Sequence, residues 1–277
     1  MIRRNIPWAS VYGNHDSQFN ISREALFQEE TKHRLSYTKH SPLGIPGVTN
    51  YYVPILPHGE LRNEDPVAIL WFLDSQGGAP FQGHRDPDSI PNWVEDTTVD
   101  WFTSEQRLIQ QRWGDIPSLV FVHIPPTAFL TAQREMLSHV EDTSAHFPGL
   151  NADIPLASQG DGWQDVPLMQ ALVDTPGLHS IYSGHDHGDA WCANWPVGRN
   201  STKGLNKPHV CFCKHTGYGG YGRWNRGSRT VKLSFEQEDN KAIKVETWIR
   251  MENGKVIQKV GLNATYGVDI YPTDDGE

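Results

Sequence analysis

Short apolar, β-rich runs that break off into polar clusters recur through the chain, and this recurrence restricts its fold more than any other feature. Trp8-Ala9-Ser10-Val11-Tyr12 leads into Gly13-Asn14-His15-Asp16, Ser118-Leu119-Val120-Phe121-Val122 into His123-Ile124-Pro125-Pro126, and His179-Ser180-Ile181-Tyr182 into Ser183-Gly184-His185-Asp186-His187. Asn, His and Asp are poor strand formers, so each cluster is expected in a loop at the carboxyl end of a strand. In open α/β sheets ligands gather at those ends, and three of them can meet at one point. Imidazole nitrogens and an amide oxygen suit Zn, Fe or Mn, whereas Ca or Mg would ask for more carboxylates. The pattern therefore predicts a transition-metal site.

Further strands are expected over 51–56, 67–73, 210–213, 230–235, 242–250 and 255–260, the last two joined by a hairpin turn at Asn253-Gly254. Helices are expected over 22–33 with Ser22 as N-cap, over 103–113 with Thr103 as cap and Gln106 completing a capping box, and over 165–173. Strands and helices alternate to about residue 190 and give way to hairpin-like strands, which predicts a layered α/β protein whose last strands form a second sheet. No Pro-, Gly- or Ser-rich linker divides the chain. One domain is expected over 1–263, followed by an acidic, flexible tail over 264–277.

The formal charge of −9 over 277 residues disfavours a nucleic-acid backbone or an anionic membrane as main partner. No apolar run approaches the roughly 18 to 20 residues needed to span a bilayer, and the first residues lack an apolar signal segment, so the chain as given reads as cytoplasmic. Cys192, Cys211 and Cys213 are too few for a disulfide framework; one bridge from Cys192 to either of the others stays open. The sequons at Asn20, Asn200 and Asn263 would matter only in a secreted protein.

By the chain's own composition, Gly-His-x-His is expected by chance about 0.05 times and Gly-Asn-His-Asp about 0.004 times, so their joint presence is specific. Gly13-Asn14-His15-Asp16, Val122-His123-Ile124-Pro125 and Gly184-His185-Asp186-His187 resemble three signature blocks of the calcineurin-like metallophosphoesterase superfamily. Leu73-Asp74-Ser75 and the Gly-rich stretch from His215 to Val231 are similar to its plant and fungal branch related to purple acid phosphatases. The resemblance implies a metallophosphoesterase-like β-sandwich flanked by helices. It implies metal ligation by Asn14, His123 and His185 at one ion and by His187 at another, with one or two Zn, Fe or Mn ions. His15 would protonate the leaving group and Asp16 would orient its ring.

The family's opening Asp-x-His and Gly-Asp motifs have no counterpart before Gly13, so the resemblance implies an N-terminally incomplete domain with half a two-metal site. The expected function is phosphoester hydrolysis on a small molecule or a protein, with impaired activity. The alternatives are a non-catalytic metal-binding protein or a single-metal enzyme acting on a small molecule. Of the other histidines only His215 follows a strand and could line the site. Arg223, Arg226 and Arg229 read as a surface cover of the sheet, and Cys211-x-Cys213 as structural.

Overall fold

The computed structural model describes residues 1–17, 20–57, 65–82, 90–139, 143–151, 159, 162–196, 206–235 and 243–272. Strands β1 (Tyr51–Ile55), β2 (Ala68–Leu73), β3 (Ser118–Val122), β4 (Leu178–Ser183), β5 (Cys192–Asn194) and β6 (His209–Phe212) form one sheet in the order β1-β2-β3-β4-β6-β5. The four inner strands run parallel and the two edges antiparallel. Strands β7 (Gly227–Phe235), β8 (Ile243–Met251) and β9 (Val256–Leu262) form the expected second, antiparallel sheet. Gly254, at a φ of +89°, makes the β8–β9 turn as the Asn-Gly signal predicts.

Side chains alternate across a strand, so neighbours in sequence serve opposite faces. On one face Trp71 meets Trp101 and Phe102 of α2 (Asp96–Trp113) edge-on, at ring separations of 6.1 and 4.7 Å. On the other, Tyr51, Phe72, Phe121 and Tyr182 stand at paired register positions and stack in series at 4.7, 5.2 and 5.3 Å. Residues of both sheets, of α2, of α3 (Thr127–His139) and of α5 (Val166–Val173), which follows the short α4 (Thr143–His146), share one hydrophobic cluster. Each large apolar side chain buried there contributes roughly 1.5–3 kcal/mol. This is the mixed α/β architecture, a sheet flanked by helices, that the resemblance implies.

Several local expectations are corrected. Trp8 to Tyr12 is no strand; it makes a single bridge, Trp8 to Ser36. Its polar groups turn instead to the carboxylate of Glu30, which accepts from Trp8 Nε1 at 2.6 Å, Ser10 Oγ at 2.8 Å and Tyr12 Oη at 2.7 Å. Helix α2 begins at Asp96, seven residues before the expected cap at Thr103, because the stripe of Val99, Phe102 and Ile109 buried on the core continues upstream of it. The cap box at Thr103 and Gln106 therefore lies inside the helix.

Ser22 does cap α1 (Arg23–Glu30), accepting from Ala25 N at 3.1 Å. Helix α3 and strand β5 were not expected. Thr127, in the first turn of α3, is held by Asp165, which also stands at the N-cap of α5. Pro125-Pro126, just ahead of Thr127, is the sequence signal that could have marked the start of α3.

Cys192 bonds to Cys211, its register partner across β5 and β6, while Cys213 is a free, half-buried thiol that desolvation pushes up to about 11. The expected tail boundary at 263 is also corrected. Tyr266 is 1% exposed and donates to Cys192 O at 3.0 Å, and Tyr271 N donates to Ala145 O at 2.8 Å. Residues 273–277, and the sequon at Asn200, lie outside the described residues. No helix among the described residues is long and apolar enough to cross a membrane.

Candidate metal centre

Because β3 and β4 are parallel neighbours, the residues that follow them emerge on the same edge of the sheet. His123 follows β3 and His185 follows β4, and Gly184 N donates to His123 O at 3.2 Å, tying the two ends together. His185 adopts a φ of +68°, a left-handed conformation unusual for a residue with a Cβ.

Asn14 reaches the same point from elsewhere. It opens a 3₁₀ turn, Asn14–Asp16, that the structure places against the loop after β2. Arg23, 6% exposed, holds the turn there: its guanidinium donates to Gly13 O at 2.9 and 3.2 Å, to Gln76 O at 3.0 Å and to Gly77 O at 2.7 Å. Burial pulls the Arg23 guanidinium down while Asp74 and Asp16 push back. Gly78, at a φ of +83°, closes the contact, since a Cβ there would stand 1.9 Å from Asn14 O.

The result is a trio. Asn14 Oδ1 lies 3.1 Å from His123 Nε2 and 3.2 Å from His185 Nδ1, with the two rings edge to face at 5.3 Å. Burial lowers His123 to about 3, aided by the nearby His185, Arg23, His15 and His187, and lowers His185 to about 4, aided by His15 and His187. Both rings are neutral at ordinary pH, the form that ligates metals. Zn–N and Zn–O bonds of about 2.0–2.2 Å put tetrahedral ligand atoms roughly 3.3–3.5 Å apart, close to the two separations seen. The donor set and spacing fit a divalent transition metal. Among the described residues no three His, Cys, Asp or Glu side chains converge as metal ligands; the convergent group is two imidazoles and an amide.

The other expected site residues surround this trio. His15 is exposed, and its charge is felt at both His123 and His185. Asp16 Oδ2 accepts from Gly13 N at 2.7 Å, so that oxygen closes the turn rather than pointing the His15 ring. His187 Nδ1 lies 3.0 Å from Tyr221 O, with His215 stacked beside the ring at 4.9 Å. Asp74 accepts from Val48 N and Gln76 N at 2.7 and 2.8 Å, and so shapes the loop after β2.

Arg229 corrects the expectation of a surface cover: its side chain lies between the sheets and donates to Phe212 O at 2.7 Å, Ala190 O at 2.5 Å and Thr247 Oγ1 at 3.0 Å. Arg23 was not anticipated at all. An arginine in the first turn of a polar helix carries no local sign of burial, and only the tertiary contacts reveal its role.

Comparison with known proteins implies a metallophosphoesterase-type relationship. The chain is 24% identical over 273 residues to "Probable inactive purple acid phosphatase 14" of Arabidopsis thaliana, covering 91% of this chain and 61% of that protein. It is 26% identical over 282 residues to "Probable inactive purple acid phosphatase 29" of the same plant, covering 91% and 63%. To "Phosphatase DCR2" of Saccharomyces cerevisiae it is 25% identical over 201 residues, covering 69% and 32%. The chain thus spans about three fifths of the length of the plant relatives. No family model matches.

Proposed function

We propose that this chain is a metal-dependent phosphoester hydrolase whose Asn14, His123 and His185 hold one divalent Zn, Fe or Mn ion, acting on a small-molecule or protein phosphoester. The observation that carries the reading is the approach of His123 Nε2 and His185 Nδ1 to one amide oxygen, at 3.1 and 3.2 Å. A bound divalent ion supplies Lewis acidity and a nucleophile near neutral pH. His15, exposed beside the trio, donates a proton to the departing oxygen, a contribution worth roughly 100- to 10,000-fold. Asp16 holds the Gly13–Asp16 turn, and with it the position of His15. His187 offers its ring to a second ion.

A second reading is favoured by the names of the plant relatives, which call them probably inactive: a protein that binds the metal without turnover. Zinc or manganese titration by calorimetry, followed by p-nitrophenyl phosphate hydrolysis, separates the two. Catalysis predicts stoichiometric binding that Asn14→Ala and His185→Ala abolish, together with turnover that His15→Ala removes while leaving the metal bound. Binding without turnover supports the second reading, and absence of stoichiometric binding overturns both.

A further inference from the structure

We propose that Tyr221 and His215 are positioning residues that fix the ring of His187 with Nε2 as its working atom, and that the Gly-rich segment 216–222 is the strap that carries this grip. The proposal rests on the reading of His187 as a residue of the metal centre.

Two rings stack on the ring of His187, Tyr221 at 4.4 Å and 17° and His215 at 4.9 Å and 11°. Its edge is held too, since Nδ1 lies 3.0 Å from Tyr221 O. A carbonyl only accepts, so Nδ1 carries the proton of the neutral ring and Nε2 keeps the lone pair. The backbone of His187 is bound by the same two side chains: His187 N donates to Tyr221 Oη at 3.2 Å, and His215 Nδ1 donates to His187 O at 2.9 Å. The Tyr221 hydroxyl reaches back to His185 O at 3.3 Å and Asp186 Oδ1 at 3.2 Å, and its single proton serves one of them.

The parallel stack also excludes the simplest rival role for His215. An imidazole lone pair lies in the ring plane, so an ion in the plane of His187 stands outside the plane of a ring stacked face-on against it. His215 therefore supports His187 and does not share an ion with it.

The strap is fixed at its start by Arg226, whose Nε donates to Gly217 O at 3.0 Å and whose guanidinium lies over the Tyr218 ring at 4.2 Å; at its far end the stack on His187 is the hold. Tyr221 is 48% exposed, and a Cβ at Gly217 or Gly219 would meet nothing within 4 Å. At Gly220, where φ is +93°, a Cβ would stand 2.3 Å from His187 Cε1. The strap lies on the ring only because that position has no side chain, and the stacked Tyr221 ring is the main hold on the Tyr221 carbonyl. Groups that fix the tautomer of a ligating histidine are worth roughly 10- to 100-fold in metal affinity.

The test is two-bond ¹H–¹⁵N correlation of the histidine rings in the full chain at pH 8, followed by Zn²⁺ titration. In the unaltered protein His187 should show one tautomer, with the proton on Nδ1. Tyr221→Phe, which keeps the stack, should retain it. Tyr221→Ala and Gly220→Ala should lose it and lower Zn²⁺ affinity about 10- to 100-fold, while His123 and His185 keep their resonances and so report an intact fold. His215→Ala should give a smaller change in the same direction. Loss of the single tautomer in a protein that binds no Zn²⁺ upholds the positioning role and removes the metal reading. A single Nδ1–H tautomer surviving in both Tyr221→Ala and Gly220→Ala overturns the positioning role whether or not Zn²⁺ binds.

Discussion

The two sides of the Asn14–His123–His185 trio are built by different means. His123 and His185 stand at the ends of adjacent parallel strands, so a backbone ladder sets their spacing and the hydrophobic cluster below holds that ladder. Asn14 stands on an irregular segment held by two charged side chains. Glu30 gathers Trp8, Ser10 and Tyr12, and Arg23 clamps Gly13 to the loop after β2. A ladder spreads its hold over many equivalent bonds, whereas a tether concentrates it in one group. Single substitutions should therefore damage the Asn14 side far more than the histidine side.

The largest effect is expected at Arg23. Arg23→Met keeps the volume but leaves the carbonyls of Gly13, Gln76 and Gly77 without their buried donor, at roughly 1–3 kcal/mol for each group left unsatisfied. Urea denaturation should show a loss of about 3 kcal/mol or more, and metal affinity should fall with it. A loss below about 1 kcal/mol would break the comparison.

Glu30→Gln should cost less, about 2 kcal/mol, because the amide keeps one acceptor for the donors the carboxylate now serves. Burial alone would raise this carboxyl, but the hydrogen bonds from Thr38, Tyr12, Ser10 and Trp8 outweigh it and hold Glu30 below the usual carboxylate range. Its contribution is complete above the ordinary carboxylate value and is lost as pH falls through the lower folded one. The unaltered protein should thus lose stability across that acid window by a component that Glu30→Gln lacks, measurable by denaturation at a series of pH values.

The smallest effect is expected on the histidine side. Ser75 Oγ accepts from Ile124 N at 3.0 Å, next to His123, and Ser75→Ala removes that one bond. With β3 still paired on both sides, the cost should be about 1 kcal/mol and metal binding should be nearly unchanged. A loss as large as that of Arg23→Met would show that the ladder does not carry His123.

The same difference explains what could be read in advance. The inner strands carry buried apolar runs, so β2, β3, β4 and β6 were legible, and with them His123 and His185. Trp8 to Tyr12 has a strand-like composition, yet its polar groups found a better partner in Glu30, twenty residues downstream, than in a neighbouring strand. Thr103 and Gln106 form a sound local cap signal that lost to the apolar stripe running upstream to Val99. Tyr266 sits beside an acidic terminus and looked solvent-facing, but it packs beneath Cys192. Arg229 looked like surface charge and lies between the two sheets.

The sequence by itself determined the layered α/β core, the second sheet with its Asn253-Gly254 turn, and the residue types able to bind a metal, because these follow from periodicity, turn chemistry and donor atoms that neighbouring residues carry together. Only the tertiary structure decided how Asn14 reaches the two histidines, that Arg23 is buried beneath its turn, and that Tyr221 and His215 stack on His187. Each of those facts joins residues far apart in the chain, and a buried charge or a stacked ring leaves no mark in its local sequence.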